Sequence, residues 1–200
     1  MSETFSESDL EPSAEETARK RRDVLERVAA TVAVLAAGLV VGGMLALGAC
    51  AAPAVFELTP APFSGNAMGA AFARFDRVAL GATCALLAAE VLRTYLARRE
   101  RPRITDRVRR LAGIVLAGAV AYMGLSLSPA INELHAQGAR RGEGELGARL
   151  EAIHHRAEMI GRLEAGVGLL CIALHVFTLR SRSDDDDLDA PAPLPPGPGA

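Results

Sequence analysis

A chain of 200 residues has room for one domain or one small helical bundle, and its formal net charge of −2 lacks the basicity that holds nucleic acid. Six Phe, two Tyr and no Trp exclude stacking platforms for bases, and three Cys exclude a disulfide scaffold and a four-cysteine zinc site. Hydrophobic residues make up 50% and charged residues 23%, an ordinary total with an unusual distribution, because long windows carry no charge at all.

The N-terminal segment is acidic and poor in apolar residues up to about residue 13, so disorder is expected there, followed by a charged helix over 14–27. Segment 28–52, VAATVAVLAAGLVVGGMLALGACAA, is uncharged and is followed by Pro53. At about 1.5 Å per residue it exceeds a hydrocarbon core of roughly 30 Å and reads as a first transmembrane helix. Within it Leu47-Gly48-Ala49-Cys50 resembles a lipobox, which would make Cys50 a lipidated N-terminus. The apolar stretch is longer than a signal-peptide core of about 7–15 residues and the preceding region is long and acidic, so an uncleaved span is expected.

The second apolar segment is weaker. Residues 78–89 are apolar, but a spanning helix needs 75–96 and so includes Glu90 and Arg93. Segment 111–131, LAGIVLAGAVAYMGLSLSPAI, is unbroken and long enough to cross. The last, 159–179, is apolar from 165 onward and enters past Arg162 and Glu164. Residues 138–147, GARRGEGELG, form a flexible stretch, and 150–160 run helically into the fourth span. The tail from Arg180 onward joins an acidic run to Pro-rich sequence and is expected to be unfolded.

Loop charges choose between two spans with buried core helices and four spans. Basic residues crowd before the first segment, between the second and third (Arg98 to Arg110), and after the fourth (Arg180, Arg182). The loop over 53–73 has no basic residue, whereas 132–157 carries four Arg, a minor conflict. Four crossings put all three basic clusters, and both termini, on the cytoplasmic side. The expected fold is an all-α membrane protein: a left-handed four-transmembrane-helix bundle over 28–180 with disordered acidic termini, 1–27 charged and 181–200 a tail.

Small residues suggest how such helices meet. Gly38 and Gly42 form a GxxxG pair on the first span, and Gly113, Ala117 and Ala121 form a stripe on the third. In lipid, where apolar side chains gain nothing by associating, small residues let backbones approach, so these two helices are expected to be a tight central pair. Ionisable groups at membrane depth are the functional pointers. Near the outer face, Asp76 is placed to pair with Arg162, and Glu164 with Arg74 or Arg77. In the inner half lie Glu90 and Arg93 on one helix face, with His175 at comparable depth; Arg93 is able to snorkel to the interface. The structural reading is ion pairing; the functional one is a polar cavity between the second and fourth helices.

No metal site or cofactor is expected. Glu151-x-x-His154 has the spacing of half a di-iron motif, but the second half is absent. Cys84, Cys171 and His175 are the residues a soft copper site would use, and lone Cys in apolar helices are more often small hydrophobes. No P-loop, GxSxG, HExxH, CxxC or dinucleotide fingerprint occurs.

One stretch resembles a known family. It comprises Gly42-Gly43, then Ala52-Pro53-Ala54-Val55-Phe56-Glu57-Leu58, Pro62, Ser64-Gly65, Gly69 and Phe72-Ala73-Arg74-Phe75. Ser128-Pro129-Ala130-Ile131 with Leu134, and His155 further on, are similar too. Together they resemble the transmembrane protein 205-like family, domain of unknown function 4149, over roughly residues 32–178. The resemblance runs across Cys50 and implies a four-helix membrane bundle with cytoplasmic termini; it implies no reaction and no catalytic residue.

The expected function is therefore non-enzymatic: a small scaffold or accessory subunit of a bacterial cytoplasmic (inner) membrane. Its partners are the lipid bilayer and a second copy or another membrane protein, not nucleic acid. The alternative is binding or transport of a small cation or polar solute by Glu90, Arg93 and His175.

Overall fold

Ser13 opens the first helix: its hydroxyl accepts from the Glu16 backbone N–H at 3.1 Å, and Glu15 and Glu16 sit in the first turn, where the helix dipole favours acids. The computed structural model describes residues 13–60, 63–98 and 103–188, with side chains as far as residue 179. The expected disorder of the first residues and of the end of the tail falls outside that range. From Ser13, α1 (Ala14–Leu45) passes without a break from the charged segment into the apolar stretch.

Proline 53 does not end the helix. A six-residue π turn, Ala46–Ala51, leads into α2 (Ala52–Leu58) with Pro53 in its first turn. Proline lacks an N–H and its ring crowds the carbonyl four residues back; the wider turn absorbs both. The same device recurs at Pro129. Here α4 (Ile104–Tyr122) passes through the π turn Met123–Leu127 into α5 (Ser128–Ala136). The exit loop expected over 53–73 is therefore mostly helical, and α3 (Phe63–Leu96) starts well before residue 75. The turn before α6 (Gly144–Leu188) uses glycine where positive φ is required, at Gly138 (81°), Gly142 (78°) and Gly144 (63°). Rather than unwinding at Arg180, α6 stays helical through Leu188.

Around the bundle, α1 packs on α3 and α6, and α4 packs on the same two helices. So α1 stands diagonal to α4, and α3 diagonal to α6, which corrects the expected central pairing of the first and third spans. The reason lies in which small residues turn inward. Ala29, Ala33, Ala36, Ala37 and Val40 of α1 share a core with Ala79, Ala82, Leu86 and Ala89 of α3, Ala112, Leu116 and Val120 of α4, and Cys171 of α6. A Cβ added at Gly38 or Gly42 would meet nothing within 4 Å, so this GxxxG face points away from the chain's own core. The close approaches fall elsewhere. Gly43 lies under Phe75, Gly168 under Val41, and Gly113 against Leu86. Ala117 and Ala121 are half-buried.

Large side chains are on the outside: Leu35, Leu39, Val91, Leu111, Ile114, Leu125, Leu169 and Phe177 are all exposed. A small-residue interior with a bulky apolar exterior is unfavourable in water but suits lipid, where backbone groups are satisfied within each helix. Three helical stretches are long and apolar enough to cross a bilayer: Ala14–Leu58, Ile104–Ala136 and Gly144–Leu179. The regular elements among the described residues are all helices, and the chain is a multi-pass membrane protein. The second expected span, in α3, is not one of those three, and it carries Glu90 and Arg93 within its apolar stretch.

Candidate functional site: two polar layers in the bundle

Polar residues recur on the inward faces of the two diagonal helices. On α3, Asp76, Thr83 and Glu90 follow at seven-residue intervals, and all three are buried. On α6, Glu164, Cys171 and His175 are buried on a matching face. Asp76 and Glu90 are separated by about 21 Å at 1.5 Å per residue, so the charges form two layers with Thr83 and Cys171 between them. Thr83 is occupied by its own helix, donating to the Ala79 and Leu80 carbonyls at 3.0 Å.

The layer around Glu90 is a cluster of paired charges. Arg109 Nε donates to Glu90 Oε1 at 2.9 Å, and its Nη1 donates to Asp106 Oδ1 at 2.9 Å and to Thr178 Oγ1 at 3.1 Å. His175 Nδ1 lies 2.7 Å from the Cys171 carbonyl, and Nε2 lies 2.7 Å from Glu90 Oε1. The second contact has ion-pair distance without the alignment of a hydrogen bond. Both ring nitrogens face oxygen acceptors; a neutral imidazole has an N–H for one of them, the charged ring for both. Arg93 Nη2 approaches Thr178 Oγ1 at 3.4 Å and Glu26 Oε1 at 3.6 Å. Each of α1, α3, α4 and α6 thus supplies at least one member.

Arg93 does not snorkel. Its side chain is 3% exposed, because Glu26 and Thr178 give it partners inside the bundle. Four polar atoms of this layer lack a hydrogen-bond partner among the described residues: Glu90 Oε2, Arg93 Nε, Arg93 Nη1 and His175 Nε2. At the same end, Arg22 of α1 donates to the Leu96 carbonyl at the C-terminus of α3, and Arg98 stacks on the Tyr95 ring at 4.5 Å.

Arg109 and Asp106 escape a reading of the sequence that treats 97–110 as one basic loop, and Glu26 and Thr178 lie at the ends of the first and last expected segments. A signal was present for Arg109. It stands three, four and seven residues before Ala112, Gly113 and Leu116, on the buried face of α4.

Among the described residues the other layer has no basic partner. Asp76 and Glu164 are both buried, at 9% and 4% exposure, and the Ser128 hydroxyl hydrogen-bonds Asp76. Asp76 Oδ2 and Glu164 Oε1 have no hydrogen-bond partner. The expected pairs with Arg162, Arg74 and Arg77 do not form. Arg162 is exposed and sits 3.9 Å from Glu158 on its own helix, while Arg74 and Arg77 are exposed. Helical geometry explains this: residues one or two positions away point about 100° or 200° round the helix, so inward acids turn these arginines outward.

Among the described residues no group of three or more His, Cys, Asp and Glu is placed to hold a metal. Cys84 lies on the exposed face of α3 whereas Cys171 is buried, so the soft-ligand trio does not assemble. His154 meets the His135 ring edge-on, centroids 6.1 Å apart, beside the small core of Leu134, Ala139 and Leu150. His155 approaches Glu158 at 4.0 Å.

A family model described as a domain of unknown function (DUF4149) matches residues 35–140. That stretch holds Asp76, Glu90, Arg93 and Arg109 and stops before Glu164 and His175. No curated protein and no solved structure matches the chain.

Proposed function

The chain belongs to the family of the domain of unknown function DUF4149, and for it we propose a non-enzymatic membrane scaffold or accessory subunit with four crossings, locked at one end by the Glu90 cluster. The observation that carries this is one buried set of charges with members from all four long helices. Such a set fixes the mutual register of the helices, since breaking a buried pair leaves an uncompensated charge.

Crossing by α3 is supported by its outward face, where Val78, Val91, Leu92 and Tyr95 are exposed as lipid contacts require. Four crossings also bring the Arg-rich connection and both termini to the cytoplasmic side of a bacterial cell membrane. The outward GxxxG face of Gly38 and Gly42 is consistent with a second copy or another membrane protein as partner.

A second reading, binding of a small cation or polar solute by Glu90, Arg93 and His175, is favoured by the four side-chain atoms of these residues that have no hydrogen-bond partner. Glu90→Gln separates the two readings. Under the scaffold reading it lowers thermal stability whatever solute is present. Under the binding reading it leaves expression normal and abolishes solute-dependent protection or flux.

A further inference from the structure

The second polar layer is not explained by a scaffold. Asp76 and Glu164 come from diagonal helices, each is buried with one carboxylate oxygen lacking a hydrogen-bond partner, and among the described residues neither is paired with a cation. Two ionised carboxylates buried away from water are far more costly than one, so the pair either takes up a proton or holds a cation. The surroundings supply one hydroxyl and otherwise apolar groups. Ser128, at the start of α5, hydrogen-bonds Asp76; Gly124, in the π turn of the same helical stretch, lies so close that an added Cβ would stand 3.2 Å from Asp76 Cβ. The charged residues nearest in sequence, Arg74 and Arg77 on α3 and Glu158 and Arg162 on α6, are exposed and turned from the axis. On the α1 side the neighbours are Val41 and Met44, which approach α6 at Gly168 and Gly161, and neither titrates. Glu133 of α5 is exposed and hydrogen-bonds Gln137 on its own turn.

We propose that Asp76 and Glu164, with the Ser128 hydroxyl, form a binding site for one small monovalent cation, a proton or Na+, inside the bundle. Either occupant removes one negative charge: Na+ exchanges water for carboxylate and hydroxyl oxygens, whereas a proton bonds to one carboxylate oxygen and leaves that group as a neutral O–H donor. The unpartnered Asp76 Oδ2 and Glu164 Oε1 are the atoms left to receive it. A divalent ion is disfavoured by the ligand set, which offers two carboxylates and no third acidic or histidine side chain. This site is separate from the Glu90 cluster, and its failure leaves the scaffold reading standing.

The test uses the full chain in detergent, with thermal unfolding followed at several pH values in choline buffer and then with NaCl added. In wild type, raising the pH without Na+ is expected to lower the melting temperature. If Na+ is the occupant, its addition at high pH restores about 5 °C or more, as saturation of a site predicts. If a proton is the occupant, Na+ and choline act alike and only acidification restores it. Asp76→Asn and Glu164→Gln, which remove one charge each, are each expected to abolish the response to Na+ and to weaken the response to pH, which the double variant loses. A wild type indifferent to both pH and Na+, or variants responding as wild type does, overturns the proposal. Because the variants are at risk of misfolding, carbodiimide labelling of wild type read by mass spectrometry is the second measurement. Modification of Asp76 or Glu164 that slows with Na+, or that persists at neutral pH where the exposed Glu133 no longer reacts, supports the site. Absence of labelling there, or a rate that ignores Na+ and falls with pH as that of Glu133 does, overturns it.

Discussion

Arg109 and Glu90 meet at 2.9 Å where α4 packs on α3, and both side chains are almost wholly buried. The pair is held from both sides, by Asp106 one turn back on α4 and by His175 from α6. Truncating one partner strands the other. Glu90→Gln and Arg109→Gln are each expected to cost about 3–5 kcal/mol of stability. A double-mutant cycle at these positions should give a coupling of roughly 1–3 kcal/mol, measured by thermal or denaturant unfolding in detergent. Strict additivity would contradict the pairing.

The glycines provide a packing test with opposite outcomes at neighbouring positions. Gly168→Ala would drive a methyl group into Val41, and Gly43→Ala into the Phe75 ring. Overpacking of this kind costs about 1–3 kcal/mol. Gly38→Ala and Gly42→Ala meet nothing in the chain and should leave stability equal or raised by up to about 1 kcal/mol, the helix-propensity gain. If Gly42→Ile also shifts the protein to a smaller species in size-exclusion chromatography, the outward face is a contact between copies.

Membrane sidedness checks the crossing of α3. Single cysteines at Ser13, Ala97 and Arg141 in a background lacking Cys50, Cys84 and Cys171 are labelled in intact cells with an impermeant maleimide. Four crossings put positions 13 and 97 on one side and 141 on the other. If α3 lies on the surface instead, 97 is labelled from the side opposite to 13.

Thiol reactivity follows from the orientation of two helices. Cys50 and Cys84 are exposed while Cys171 is fully buried. A lipid-soluble maleimide should modify the first two in the native protein and reach Cys171 only after denaturation. Modification of all three at similar rates would contradict the inward placement of Cys171.

How far the site could be read in advance depends on the kind of residue involved. Glu90 and His175 stood out because a charge or an imidazole inside an apolar run is costly unless partnered, a property visible in one dimension. Arg109 was hidden among the arginines of one charge-dense segment, and Glu26 at the end of another; both look solvated until their helices are placed. Asp76 and Glu164 were recognised as outer-face ions, yet their partners were misassigned, because proximity in depth does not fix the direction in which a helix turns a side chain. The two prolines misled for a related reason: proline ends a regular α-helix, whereas a π turn supplied by the preceding residues lets the helix continue.

The sequence by itself determined that the chain is helical and crosses a bilayer more than once, because uncharged runs longer than the hydrocarbon core leave no other way to satisfy the backbone. It also determined that some charges must be buried with those runs. Only the tertiary structure decided which helix faces which, and hence that α3 and α6 oppose one another with a paired layer at Glu90 and an unpaired acidic layer at Asp76. The physical reason is that lipid imposes no inside or outside on an apolar helix. Rotation about each axis is chosen by contacts among small and polar side chains that are distant in the chain.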